Sequence, residues 1–290
     1  MDAKHQKIYD RYLQHLVISG LSKTTVKAYT KESKAFLEFV DELESITNSI
    51  VFDYLGKYSH LSLQTRNSHA SYLRAFLRHL SKNVYPLMNK INIPYIRVGR
   101  KLPEILEQDE LIRRLNVVKK LAKNSDNWIR KRDYALIILL YATGMRVSEA
   151  LNFNMNDIND NNFVRIDNGK GLKDRVVPIA EEAIIALEGY IKACLFDLDK
   201  GFFLNYKGVL MSRIEIYHIL KKSMGINPHS MRHHFATHMI INGADVSVVS
   251  ELLGHSSLIT TQMYTHIQKP QLIRTVKKCH PMSEEYEDAS

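Results

Sequence analysis

A dense group of histidines and arginine lies in HSMRHHFATH, residues 229–238. The residues that could do chemistry there are His229, Arg232, His233, His234 and His238. Histidines four positions apart face one side of a helix, and zinc sites use that spacing. Against zinc, Arg232 adds a fixed positive charge, no glutamate follows the first histidine, and no third ligand stands out nearby. A helix surface without a special role is the plainer alternative.

A phosphodiester is a better match for this chemistry than a metal ion. Guanidinium groups donate paired hydrogen bonds to phosphate oxygens, and these bonds strengthen as charge grows in the transition state. Such a site also needs further donors, a nucleophile and an acid for the leaving alkoxide. Candidates of these types occur at predicted helix ends and turns: Arg146, Lys170, His229, Arg232, His255 and Tyr264. Singly, each is a weak indication.

The segments around these candidates follow one another in a recognisable order. They are ATGMRVSEAL, NGKGLKDR, HSMRHHFATHMI, LLGHSS and TTQMYTH. Together, over residues 103–280, they resemble the tyrosine recombinase (phage-integrase-like) family, and within it the Xer-type site-specific recombinases. The helical N-terminal region is more loosely similar to the family's core-binding domain. His234 departs from the pattern, since the family more often carries a small hydroxyl residue there.

The resemblance implies a transesterification on DNA. Tyr264 would attack the phosphate and form a 3′-phosphotyrosyl link with a free 5′-hydroxyl, while Arg146 and Arg232 would hold the nonbridging oxygens. A phenol with a pKa of about 10 is mostly neutral at pH 7, so it needs cations and a proton acceptor nearby. The phosphotyrosine conserves the energy of the broken bond. We therefore expect a DNA strand-exchange enzyme with no metal, ATP or other cofactor.

The remaining roles are also implied by the resemblance. Lys170 would protonate the departing 5′-oxygen, and His229 would take up and return a proton on the nucleophile's side. His255 would donate a hydrogen bond to the phosphate. Glu149 would orient the site from behind, although an ordinary acid on a helix surface explains its presence nearly as well.

These residues need a scaffold, and periodicity predicts a mainly α-helical one with a small β-hairpin. We expect an all-helical core-binding domain over residues 1–92, a basic linker over 93–102, and a mixed α+β catalytic domain of the tyrosine recombinase type with a C-terminal tail over 103–290. A nearly all-apolar helix should end at Gly144, and another should end at Gly254. Lys170 should lie at the hairpin tip.

The excess positive charge is concentrated in the first third of the chain. Residues 1–100 contain 15 Lys and Arg against 8 Asp and Glu, whereas the remainder contains 25 against 23. This favours binding of a polyanion by the first domain, although a solvated lysine-rich surface explains it as well. The phosphate-contact candidates are Arg74, Arg78, Arg97, Arg100, Lys101 and, from resemblance to a groove-facing family helix, Arg213.

The resemblance also implies how the protein assembles. Its partner would be double-stranded DNA with a specific inverted-repeat site, bound by a homo-tetramer or by a tetramer with a related recombinase. In the family, a C-terminal segment such as KPQLIRTVKKCH docks in a neighbouring protomer. Docking on the segment's own domain is the alternative.

Other classes of protein are disfavoured or remain open. Two cysteines without CxxC spacing argue against a disulfide framework and a thiolate zinc site. No apolar signal core opens the chain and no 18-residue apolar run occurs, so we expect a cytoplasmic protein without a membrane partner. A DNA-binding protein that has lost cleavage and a type IB topoisomerase-like enzyme remain as alternatives.

Overall fold

The computed structural model describes residues 1–83, 91–95, 105–166, 174–254, 275 and 278–281. The chain divides into two compact units, Met1–Lys101 and Leu102–Ser290, which we call the N-terminal and C-terminal units. Most of residues 84–104 lie outside the described part. The domain limits and the basic linker over residues 93–102 therefore stay a prediction.

The described residues of the N-terminal unit form four α-helices. They are α1 (Ala3–Ile18), α2 (Lys23–Leu37), α3 (Asn48–Gly56) and α4 (Leu63–Asn83). The Ser22 side chain accepts the N–H of Thr25, so α2 begins where its capping residue predicts. The apolar residues of α4 recur at helical spacing, and the face that they form is buried and packs against α2: Leu73, Phe76, Leu77 and Leu80.

The C-terminal unit surrounds one buried helix. Its helices are α5 (Gln108–Lys123), α6 (Trp128–Thr143), α7 (Val147–Asn152), α8 (Glu181–Ala193), α9 (Arg213–Met224), α10 (Pro228–Ile241) and α11 (Val246–Leu253). The largely apolar α6 lies at the centre and packs against α5, α8 and α10. Strands β1 (Phe163–Ile166) and β2 (Arg175–Pro178) pair antiparallel, with Ile166 opposite Arg175.

Two helix ends in this unit lie side by side. Gly144 ends α6 and Gly254 ends α11, both in the left-handed conformation with φ of +61° and +63°. A β-carbon on Gly144 would lie 2.6 Å from Phe235 and 2.9 Å from Leu253. Glycine is therefore required there by backbone conformation and by the close approach of α10 and α11.

The predicted fold class is confirmed: the chain is mainly α-helical, with a helical N-terminal unit and a C-terminal unit that contains one small hairpin. None of the helices in the described ranges combines the length and the apolar character needed to cross a membrane.

Candidate active site

Glu149 is the centre of a buried charge network in the C-terminal unit. Its Oε2 accepts the backbone N–H of Arg146 at 2.6 Å, and its Oε1 accepts Nη1 of Arg146 at 2.7 Å. Arg175 donates from Nη1 to Oε1 at 3.1 Å and from Nη2 to Oε2 at 2.8 Å. The Glu149 side chain is only 7% exposed, so it is a buried anion between two cations and not an ordinary surface acid.

Arg232 joins the two helix ends. It is buried and donates from Nη1 to the carbonyl of Gly144 at 2.9 Å, and from Nη2 to the carbonyl of Leu253. The last carbonyls of a helix have no partner within it and carry partial negative charge. A guanidinium group has five N–H donors and can bond two such carbonyls while retaining others. The fold thus fixes Arg232 at the junction of α6, α10 and α11.

The charges of this network influence one another. Burial, followed by repulsion from Arg146 and Arg175, lowers the pKa of Arg232 to about 10, so it stays protonated at neutral pH. Burial alone would raise the pKa of Glu149. The hydrogen bonds from Arg175 and Arg146 outweigh that effect and lower this pKa, so Glu149 is ionised. Arg146 and Arg175 therefore share one buried carboxylate, and the charges of all three residues act on Arg232.

His229 lies in the first turn of α10, whose N-cap residue Asn227 accepts the N–H of Ser230. The His229 ring is exposed, and its centroid lies 4.5 Å from that of His233 in an edge-to-face arrangement. Burial first, and then the proximity of His229 and Arg232, lowers the pKa of His233. His229 and Arg232 are three positions apart, which places both on one side of α10.

His234 and His238 have a structural role. The Nε2 of His234 accepts the N–H of Leu106 at 2.7 Å, and its Nδ1 donates to the carbonyl of Ser230. The Nε2 of His238 donates to the carbonyl of Leu106 at 3.0 Å, and its Nδ1 accepts the hydroxyl of Tyr141. The two histidines thus bind both polar groups of one backbone residue. The described residues contain no group of three or more His, Cys, Asp or Glu arranged to hold a metal ion.

Several predicted site residues lie outside the described part of the chain. They are Lys170, His255, Tyr264, Arg97, Arg100 and Lys101. The described residues on either side still indicate two connections. In the sequence, Lys170 falls between β1 and β2, and His255 directly follows Gly254, at which α11 ends.

The other DNA-contact candidates differ in their surroundings. Arg74 donates from Nε and Nη2 to the carbonyls of Ile93 and Pro94, and its guanidinium lies 4.0 Å from the centre of the Tyr95 ring. It therefore fixes a segment of its own unit. Arg78 on α4 and Arg213 at the start of α9 are exposed. Phosphate contact by these residues stays a prediction.

Residues 279 and 280 of the C-terminal tail pack on their own unit. His280 is 1% exposed, its Nε2 lies 3.2 Å from the Tyr141 carbonyl oxygen, and its ring contacts Phe235. Asn242 donates to the Cys279 carbonyl at 2.9 Å. Most of the segment KPQLIRTVKKCH, including its apolar residues Leu272, Ile273 and Val276, lies outside the described part. Residues 279 and 280 therefore contact their own unit, and whether the segment docks in a neighbouring protomer or on its own domain stays a prediction.

Sequence reasoning missed Arg175, although a signal was available. In a strand, alternate residues face the same side, and Arg175 has the same parity as Val177 and Ile179. These two are buried, whereas Val176 is 41% exposed. The pattern therefore predicts a buried arginine, which requires a buried acid as its partner.

Comparisons with known proteins agree with this architecture. Residues 112–271 match the model of the phage integrase family, and residues 9–84 match the phage integrase N-terminal SAM-like domain. Tyrosine recombinase XerD of Staphylococcus epidermidis is 33% identical, covering 94% of this chain and 98% of that protein.

Solved structures extend the similarity to three dimensions. A crystal structure of the XerH site-specific recombinase bound to a palindromic difH substrate, in a post-cleavage complex, is similar with a TM-score of 0.68 and 25% identity, covering 88% of this chain and 79% of that one. A lambda integrase tetramer bound to a Holliday junction has a TM-score of 0.64 at 18% identity, covering 87% and 77%, which shows a shared fold. The chain therefore belongs to the phage integrase family, as a tyrosine recombinase of the Xer type.

Proposed function

We propose that this chain is a site-specific recombinase that cleaves and rejoins DNA with Tyr264 as the nucleophile. The observation that carries the proposal is a charge network in a member of a DNA-recombining family: Glu149 holds Arg146 and Arg175 by hydrogen bonds, and Arg232, held by two helix-end carbonyls, interacts with them electrostatically. Such a network resists rearrangement when a phosphate arrives, which is the condition for electrostatic stabilisation of a transition state.

Arg232 and Arg146, the two arginines predicted to bind phosphate, differ in their exposure and in the groups that hold them. Arg232 is buried and fixed to two carbonyls, and its pKa of about 10 keeps it charged. Arg146 is 39% exposed, so its guanidinium is both held by Glu149 and accessible to a ligand. In the proposed reaction both donate to the nonbridging oxygens, whose negative charge increases as the tyrosine oxygen attacks.

In the proposed reaction, residues other than Arg146 and Arg232 transfer the protons. Lys170 protonates the departing 5′-oxygen, His229 exchanges a proton on the side of Tyr264, and His255 donates a hydrogen bond to the phosphate. The exposed position of His229 near Arg232 supports its share of this scheme. The proposed reaction exchanges one phosphodiester for another, so it consumes no cofactor.

We also propose a tetramer on DNA, with two protomers on each inverted-repeat site and either this chain or a related recombinase as the second partner. The basic N-terminal third supports contact with the DNA backbone, for which the exposed Arg78 is a candidate together with Arg213, Arg97, Arg100 and Lys101. A cytoplasmic location is part of the same proposal. No observation on the described residues favours a cleavage-deficient DNA-binding protein or a topoisomerase-like enzyme.

The proposal is tested with a nicked DNA substrate that carries the recombination site, which is first identified by selecting the DNA sequences that the protein binds. The nick lets the short 5′-hydroxyl strand diffuse away, so the covalent protein–DNA complex accumulates and is visible on a denaturing gel. We expect this complex for the wild type and none for Tyr264→Phe, which should still bind the site within severalfold of wild-type affinity. Tyr206→Phe, which changes an exposed tyrosine of the same unit, is the matched control. A covalent complex formed by Tyr264→Phe would refute the assignment.

A further inference from the structure

Arg175 is the point where three elements of the C-terminal unit meet. It is the first residue of β2, it pairs with Glu149 in the first turn of α7, and its Nε donates to the Leu252 carbonyl in the last turn of α11 at 2.7 Å. Its side chain is 6% exposed. The hairpin strand, the helix that begins next to Arg146, and the helix that precedes His255 are therefore joined by one guanidinium group.

The bonding of this guanidinium uses all three of its nitrogens. Nη1 and Nη2 bind the two oxygens of Glu149 as a parallel pair, and Nε binds Leu252. A planar fork of this kind fixes the direction of the carboxylate as well as its position. A lysine has a single ammonium on a flexible stem and cannot fix both oxygens and a third acceptor in one plane. Arginine is therefore required by geometry as well as by charge.

The position of Arg146 depends on the pair formed by Arg175 and Glu149. Its backbone N–H and its Nη1 both donate to Glu149, and each oxygen that receives these bonds also receives one from Arg175. The buried Arg175 thus sets the direction of the Glu149 carboxylate. The carboxylate in turn sets the position of the half-exposed Arg146. Without the fork of Arg175, Glu149 can rotate, and Arg146 can move with it.

We infer that Arg175 is a positioning residue for DNA cleavage, which acts by holding Glu149 so that Glu149 holds Arg146. This inference rests on the proposed function, because it assigns to Arg146 a phosphate that only that function supplies. Arg175 itself does not contact the substrate in this scheme, since it is buried and its nitrogens bind protein acceptors.

The test compares Arg175→Lys with a matched control in the nicked-substrate assay. The control is Arg165→Lys on β1 of the same hairpin, where the arginine is exposed and pairs with Asp174 at 3.2 Å. Both substitutions keep the charge. We expect Arg175→Lys to lower the single-turnover cleavage rate by about ten- to a hundredfold, the order found when a positioning contact is lost. DNA half-saturation should stay within about twofold of the wild type, and the control should change neither value.

The decisive readout is the dependence of this loss on Arg146. In an Arg146→Ala background, Arg175→Lys should lower the remaining rate by less than about threefold, because the residue that it positions is gone. An equal loss in both backgrounds would overturn the inference, since it would show that Arg175 supports the site by another route. If Arg175→Lys does not fold, as judged by tryptophan fluorescence, Glu149→Gln provides the same comparison with the same expected coupling.

The failure of this inference can be told apart from failure of the proposed function. A wild type that forms no covalent complex on the nicked site refutes both, because Arg146 then has no cleavage to serve. A wild type that cleaves while the losses from Arg175→Lys and Arg146→Ala multiply refutes the inference alone.

Discussion

The burial of His280 makes the stability of the C-terminal unit depend on pH. This histidine packs against Tyr141, with ring centroids 5.0 Å apart, and against Phe235. Burial first, with a smaller contribution from repulsion by His238, lowers its pKa from 6.5 to about 4, although the hydrogen bond to the Tyr141 carbonyl opposes this shift. His280 is therefore neutral in the folded protein at every pH above about 4.

The sign and the size of the effect follow from this pKa. An unfolded chain takes up a proton on His280 below pH 6.5, whereas the folded chain does so only near pH 4. The stabilisation is thus fully present above pH 6.5 and is lost as the pH falls toward 4. Between pH 7.5 and pH 5.0, His280 alone should lower the free energy of unfolding by about 2 kcal/mol.

Trp128 provides a selective assay because it is the only tryptophan of the chain and lies on α6, in the same core as Tyr141. Urea unfolding followed by its fluorescence reports the C-terminal unit at each pH. His280→Asn retains a donor but cannot take up a proton in this range. The variant should therefore lose about 2 kcal/mol less than the wild type on acidification. His218→Asn, which changes an exposed histidine of α9, is the control and should behave as the wild type.

Equal acid sensitivity of the wild type and His280→Asn would refute the reasoning. It would mean that His280 is exposed in solution and that the end of the tail does not pack on α6 and α10. Buried His234 and His238, whose pKa values are also lowered by burial, contribute to the acid sensitivity of both proteins and cancel in the comparison.

Three further predictions concern the site, the helix ends and DNA binding. Arg232→Lys should lower the cleavage rate at least about a hundredfold in single-turnover assays, because a single ammonium nitrogen cannot reproduce the planar fork that reaches both helix-end carbonyls and still offers further N–H groups to a phosphate; a loss below about fivefold would contradict this role. Gly144→Ala should lower the free energy of unfolding of the C-terminal unit by about 2–4 kcal/mol in urea, because the added β-carbon would clash with Phe235 and the backbone there is left-handed. The control is Gly189→Ala on α8, where a β-carbon meets nothing within 4 Å, and it should not destabilise the unit. Affinity for the DNA site, measured by fluorescence anisotropy, should fall about a thousandfold or more between 50 and 200 mM salt, and a flat profile would exclude binding through many phosphate contacts.

Local patterns were sufficient to predict most of the helices. Helical periodicity over residues 63–83 of the sequence coincides with α4, and α6 and α11 end at the predicted glycines. The helical pattern of the sequence extends back to residue 104, but α5 begins at Gln108. The reason is nonlocal: both polar backbone groups of Leu106 are bound by His234 and His238, which lie 128 and 132 positions further along the chain.

The candidate site likewise combines contacts between neighbouring residues of the sequence with contacts between residues far apart in it. Arg146 and Glu149 are three positions apart, so their hydrogen bonding within one helix turn is a local property of the sequence. The role of Glu149 was nevertheless undecided, because its burial depends on Arg175, 26 positions away. Likewise, the resemblance implies that Arg232 binds phosphate, but its anchoring to two helix ends depends on how α6 and α11 pack.

The most direct test of the account is to identify the amino acid that becomes linked to DNA. The covalent complex is formed in excess EDTA, digested with protease and nuclease, and sequenced by mass spectrometry. We predict one modified peptide, with Tyr264 joined to a 3′-phosphate, at the yield obtained without chelator. A link through any other residue, a link to a 5′-phosphate, or loss of the product with EDTA would contradict the account.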